Sequence, residues 1–178
     1  FAFPFPRAEN VRDVVQKIGI KRDDQIILYA QPGKTVGATR TYVVLNAFGF
    51  KVSLLNGGLF GYKAKGYPVE EGKDYTGEQT KIGDLKDPKD ALATLEELQQ
   101  FEAGKNDKIQ VIDSRPKVAF DGNAPDHGEH LRQGNIGGSV NILPNEFLNS
   151  DDTFKCDEEL LAVFDKYSLD PKKDTVVM

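Results

Sequence analysis

The sequence predicts an α/β fold: two tandem domains, each a mostly parallel central sheet flanked by helices. Three observations predict it. Short apolar runs of strand length alternate with segments whose apolar residues recur at helical spacing, as strand–helix crossovers require. Residues 74–90 are rich in Gly, Lys, Asp and Thr, lack apolar periodicity and read as a connection between a first domain over 1–73 and a second over 91–178. Finally, Lys17–Tyr29 can be laid over Lys166–Met178 without a gap, at an offset of 149 residues (166 − 17). That is about one domain length.

Taken in order, Val11, Val14, Val15 and Ile18 mark a first helix, with Pro6 ahead of it and Gly19 as its stop. Gln25-Ile-Ile-Leu-Tyr29 is a short apolar run that suits a strand buried on both faces. The loop Ala30–Gly37 leads into a second helix whose core face is Val44, Leu45 and Phe48, ended by Gly49. Val52-Ser-Leu-Leu55 is a further strand, Asn56-Gly-Gly58 a tight turn, and a short helix runs from about Leu59 to Lys65 before Gly66. Beyond the connection, Leu92, Leu95, Leu98 and Phe101 mark a helix, and Ile109-Gln-Val-Ile112 a strand ending at Asp113. Residues 116–138 read as irregular, Ser139–Ile142 as a strand, and Leu160, Leu161 and Phe164 as the face of a last helix. Thr175–Met178 reads as the start of a buried strand. With Phe1 in place of Met at the other end, the expectation is an internal stretch of a longer chain.

Composition excludes several classes. The 178 residues are 39% hydrophobic and 29% charged with a formal net charge of −5, which predicts a globular chain with a packed core. A mildly acidic chain without a basic block is a poor binder of nucleic acid or of anionic membrane through charge. No apolar run approaches the roughly 18 residues of a membrane span. The single cysteine, Cys156, makes neither an internal disulfide nor a Cys-rich zinc site. It stands near a helix start, where a thiol pKa can fall, and reads as structural.

Chemistry is expected at the carboxyl ends of the strands, where loop and helix amides converge and can stabilise an anion or a thiolate. Gly33-Lys-Thr35 is the tail of a phosphate-binding loop, but the motif's first Gly would fall on Leu28, so nucleotide binding is not supported. His127 and His130, with Asp126 and Glu129, lie in a Gly/Pro-flanked stretch that reads as a solvated loop in the absence of a third ligand. Asp151–Glu159 reads as polar surface with a charged helix start.

Leu28-Tyr29, Ala38-Thr-Arg40, Phe48-Gly49, Leu54-Leu-Asn-Gly-Gly-Leu59 and Gly66-Tyr-Pro-Val-Glu70 resemble the first, non-catalytic domain of the two-domain rhodanese family, the thiosulfate and 3-mercaptopyruvate sulfurtransferases. Val111-Ile-Asp-Ser-Arg115, Phe120-Asp-Gly122, Gly134–Asn141 and the terminal Val-Val-Met resemble the second, catalytic domain. The resemblance implies transfer of sulfane sulfur from a small anionic donor to a thiol or other thiophilic acceptor through a cysteine persulfide, without metal or organic cofactor. The cysteine is expected directly after Met178, so no catalytic residue falls within this chain. Asp113, Arg115 and Arg40 match family positions that brace a strand end and a loop. The family's eukaryotic members imply a mitochondrial location, otherwise a cytoplasmic one. Two departures stand out: the family's arginine four residues beyond Arg115 is Ala119, and its Gly-His-Ile is Gly134-Asn135-Ile136. Losing a guanidinium removes both charge and a forked donor. The sequence therefore carries a second reading, an inactive rhodanese-like subunit or binding module of a larger assembly.

Overall fold

The computed structural model describes residues 5–72, 77–89, 91–124 and 133–178. These form two compact units, one comprising residues up to Leu92 together with Ser150–Thr153, the other Ala93–Asn149 with Phe154–Met178.

In the first unit, α1 (Ala8–Lys17) places Val11 and Val15 one turn apart on its inner face. β1 (Gln25–Leu28), α2 (Thr35–Ala47), β2 (Lys51–Leu54) and α3 (Gly58–Ala64) follow. The two strands pair in parallel, from Gln25 opposite Lys51 to Leu28 opposite Leu54. Val11, Val15, Leu45, Phe48 and Phe50 form the buried cluster, and Ile26, Val44 and Val52 pack against it. The expectation that β1 is buried on both faces is not met: Ile27 is 60% exposed. Alternate residues of a strand face opposite ways, and Ile26 takes the cluster side while Ile27 takes the other. Residues 77–89 contain no helix or strand, yet they lie along α1: Thr80 donates to the Gln16 and Ile20 carbonyls, Arg12 pairs with Asp84 at 3.0 Å, and Ile82 and Leu85 join the core. Their ordering comes from cross-chain polar contacts, which no local periodicity announces.

The second unit runs α4 (Leu95–Glu102), β3 (Ile109–Asp113), α5 (Lys117–Phe120), β4 (Val140–Asn141), α6 (Asp157–Lys166) and β5 (Asp174–Val177), with a 3-10 turn at Pro144–Phe147. The sheet order is β4-β3-β5, all parallel. The central strand is the apolar Ile109–Ile112 run, with Val111 at 1% and Ile112 at 6% exposure. The strand ends of β4 and β5 differ from the sequence reading by a residue, and two helices differ more. α4 begins after Leu92 because Thr94 and Glu97 make reciprocal cap bonds, satisfying amides that would otherwise be orphaned at the helix start. The stretch from Pro116 is not wholly irregular, since the Pro116 carbonyl accepts from Phe120 and a Lys117–Asp121 pair at 2.9 Å supports one helical turn.

Both units turn from helix to strand on the same spacing. Lys17 and Lys166 close helices and Gln25 and Asp174 open strands, each pair 149 apart (166 − 17 and 174 − 25). The left-handed residue of each turn is Gly19 (φ 85°) in one and Ser168 (φ 55°) in the other. Gly occupies such a backbone region freely, whereas Ser does so at some cost.

A polar cluster ties the 3-10 turn to α6. Glu146 accepts from Tyr167 Oη and from Lys166 Nζ at 2.7 Å, and Lys155 Nζ donates to the Glu146 carbonyl at 2.7 Å. The bonds from Lys166 and then Tyr167 hold the Glu146 carboxyl below its ordinary value of 4.5. A depressed carboxylate contributes stability that is present above the unfolded pKa and lost as pH falls through the folded one. The stability difference between the protein and its Glu146→Gln variant is therefore expected to be constant near neutrality and to vanish on acidification past that range. Urea titrations at a series of pH values check this, and a difference independent of pH would overturn it.

Candidate functional site

Because β4, β3 and β5 are parallel, their carboxyl ends open on the same side of the second unit, where the loops of an α/β sheet form a crevice. Asp113 ends the central strand and is fully buried. A buried carboxylate needs partners, and Arg115 supplies them. Its Nε lies 3.0 and 3.1 Å from the two carboxylate oxygens, Nη2 lies 2.6 Å from Oδ2, and its main-chain N–H donates to Oδ1 at 2.9 Å. This contact raises the Arg115 pKa further, against a smaller opposing effect of burial. Nη2 also donates to the Gly134 carbonyl at 2.8 Å, fixing the loop before β4 to the end of β3. Asn141 completes the brace: its Nδ2 donates to the carbonyls of Asp113 and Arg115 at 2.8 and 2.9 Å. Ser114 donates through N–H and Oγ to the Met178 main-chain oxygen, at 2.8 and 2.6 Å. The ends of β3, β4 and β5 are thus locked by side chains from two separate stretches of sequence, 113–115 and Asn141, acting in part on the main-chain oxygens of Gly134 and Met178.

A cleft of about 400 Å³ opens beside this brace, lined by Glu102, Arg115, Gln133, Gly134, Asn135, Ile136 and Met178. Asn135 donates its Nδ2 to the Phe120 carbonyl at 3.0 Å, so a residue of the Gly-Asn-Ile loop anchors the end of α5. Glu102 lies against Gly137, where a Cβ would stand 3.4 Å from its Cγ and 3.6 Å from its Oε1. Ala119 is half-buried on α5.

Chicken (Gallus gallus) thiosulfate sulfurtransferase is 31% identical to this chain over 177 residues, covering 97% of the chain and 58% of the relative. Mouse (Mus musculus) 3-mercaptopyruvate sulfurtransferase is 28% identical over 173 residues, covering 96% and 57% respectively. The crystal structure of SseA from Escherichia coli, a 3-mercaptopyruvate sulfotransferase described as having the rhodanese fold, matches with a TM-score of 0.78 at 26% identity, over 97% of this chain and 62% of that one. The chain has the rhodanese fold and is similar to these sulfurtransferases over nearly its whole length. No family model matches it, and it spans a little under three-fifths of the length of these curated relatives.

Of the residues read from the sequence, this chain brings Asp113 and Arg115 together at the strand end. Arg40 lies exposed on α2 of the first unit. Gly33, in the loop after β1, donates its N–H to Asp152 Oδ2 at 2.7 Å, so a carboxylate already takes the amide that a phosphate-binding loop would offer. Cys156 caps α6 and is exposed, but its thiol pKa is raised, contrary to the expectation from a helix start. The Glu159 N–H favours the thiolate, and the side chains of Glu158 and Glu159 in the acidic first turn outweigh it. His127 and His130 with their acidic neighbours lie outside the described residues, and among the described residues no cluster could hold a metal ion. No helix among them is long and apolar enough to cross a membrane. The sequence reading missed Asn141, Ser114 and Glu102. A polar Asn between Val140 and Ile142 was the available signal for the first, and for Glu102 there was none.

Proposed function

We propose that the protein is a sulfurtransferase that moves sulfane sulfur from a small anionic donor, thiosulfate or 3-mercaptopyruvate, to a thiol or other thiophilic acceptor. The observation that carries this reading is the braced crevice at the carboxyl ends of β3, β4 and β5, with Met178 on its wall, in a chain of rhodanese fold similar to these sulfurtransferases. The working residue is a cysteine at the position that follows Met178. Its thiolate attacks the outer sulfur of thiosulfate, the S–S bond breaks, and sulfite leaves with the electron pair. An acceptor thiolate then attacks the outer sulfur of the persulfide and the cysteine thiolate leaves. This chemistry calls for no metal or organic cofactor. What the position needs is a stabilised thiolate and fixed donors toward the developing charge. In this reading Asp113 and Arg115 are positioning residues that hold the strand end, and Arg40 braces the equivalent loop of the first unit. We place the protein in mitochondria on the strength of the family resemblance.

Ala119 favours a second reading. With no guanidinium at that position, Arg115 is the one cation lining the cleft among the described residues, and it is paired with Asp113. A binding or structural subunit that keeps the fold without turnover has no need of a donor-binding arginine. Sulfur transfer from thiosulfate and from 3-mercaptopyruvate to cyanide, measured on the full-length protein, separates the two. Turnover that is abolished by replacing the residue after Met178 supports the enzyme. A residue without a thiol there, found by tandem mass spectrometry of the spanning peptide, or no transfer from either donor, supports the scaffold.

A further inference from the structure

The loop after β1 is fastened by a residue that lies 119 positions further along the chain (152 − 33). Gly33 donates its N–H to Asp152 Oδ2 at 2.7 Å. Ser150–Thr153 belongs to the first unit, although the rest of that unit ends at Leu92. The segment is shaped by its own bonds. The Leu148–Phe154 bridge closes its base, together with the Lys155 N–H bond to the Phe147 carbonyl at 3.1 Å. At its tip Asp151 Oδ1 accepts from the Thr153 N–H at 3.1 Å and from Thr153 Oγ1 at 2.6 Å, which folds a turn. Asp152 has the left-handed backbone, φ 62°, a region that Asp enters more readily than most residues with a Cβ. Beside it the Thr153 methyl lies 3.1 Å from where a Cβ on Gly57 would stand, so the tip also covers the turn before α3.

We propose that Ser150–Thr153 is a strap with Asp152 as its fastening residue, and that the order of the loop over residues 30–34 is conditional on it. The loop's own bonds are short-range turns, from the Lys34 N–H to Gln31 and from the Gly37 N–H to Lys34. α2, which follows, has neither a side-chain cap nor an acidic residue in its first turn. Negative charge is favourable at that end of a helix, and the Asp152 carboxylate at Gly33 supplies it from outside the loop. Opening the strap therefore frees the loop without unfolding either strand beside it.

The test is amide hydrogen exchange in the full-length protein and in its Asp152→Gly and Asp152→Asn variants. Glycine keeps the left-handed turn and removes the carboxylate, whereas asparagine keeps both the turn and an acceptor oxygen. Losing one hydrogen bond of this kind is worth about fivefold in local opening. In Asp152→Gly the Gly33, Lys34 and Gly37 amides are expected to exchange about fivefold faster. Trypsin is expected to cut after Lys34 faster by a similar factor, since cleavage follows the open population. The Lys155 amide, bonded to Phe147 at the base of the strap, is expected to keep its rate. Asp152→Asn is expected to stay near the parent on both readouts. Unchanged exchange at Gly33 in Asp152→Gly would overturn the proposal, because the contact would then not hold the loop. A rise of equal size at Lys155 would also overturn it, because the substitution would then have loosened the whole 148–154 segment.

Discussion

Replacing Asp113 with alanine is expected to lower stability by about 3 kcal/mol, because a fully buried carboxylate disappears and the donors aimed at it lose their acceptor. The expected loss combines the unsatisfied Arg115 main-chain N–H and a guanidinium left beside an apolar gap, discounted for the part of Arg115 that reaches solvent. Urea denaturation reads the total. Amide exchange across β3 reads its location, since Ile112 and Ser114 both bond to Met178 at the neighbouring strand end. A loss under about 1 kcal/mol would show that Arg115 merely rests on the carboxylate and that the brace is carried by Asn141.

Gly58→Ala is the second large effect, also expected near 3 kcal/mol. A Cβ there would stand 2.4 Å from the Ala30 carbonyl oxygen, far inside contact, and the residue has φ +54°. The same oxygen accepts the Leu59 N–H at 3.0 Å, so the start of α3 is stitched to the residue that opens the loop after β1. Backbone cannot swing aside as a flexible side chain can. Gly66→Ala is the control: its φ is +76° but no atom lies within 4 Å of the added Cβ, so only the conformational term remains, about 1 kcal/mol. Equal melting shifts for the two variants would remove the steric argument.

These two positions differ in how visible they are beforehand. Asn56-Gly-Gly58 announces a turn, but nothing in the chain says that the second glycine is required by a carbonyl 28 residues earlier (58 − 30). Asp113 closes an apolar run and precedes Arg115 by two, and the family resemblance already implied that the two brace the strand end. Gly134 and Asn141, which complete the brace, come from a stretch without a clear period.

What the sequence determined by itself is the order and kind of the elements: the apolar runs at Gln25–Leu28, Ile109–Ile112 and Thr175–Val177, the helices α1, α2 and α6, and the glycine stops. These rest on local periodicity and local backbone preference, which act within a few residues. The sequence did not determine the face of α6, where Val163 is buried while Leu161 and Phe164, read as the inner face, are exposed. Tertiary structure alone decided which face of β1 is covered and that residues 77–89 lie along α1. It also brought Glu102, Arg115 and Met178 to one cleft. Each of these depends on groups far apart in the chain meeting in space, which leaves no period in the sequence.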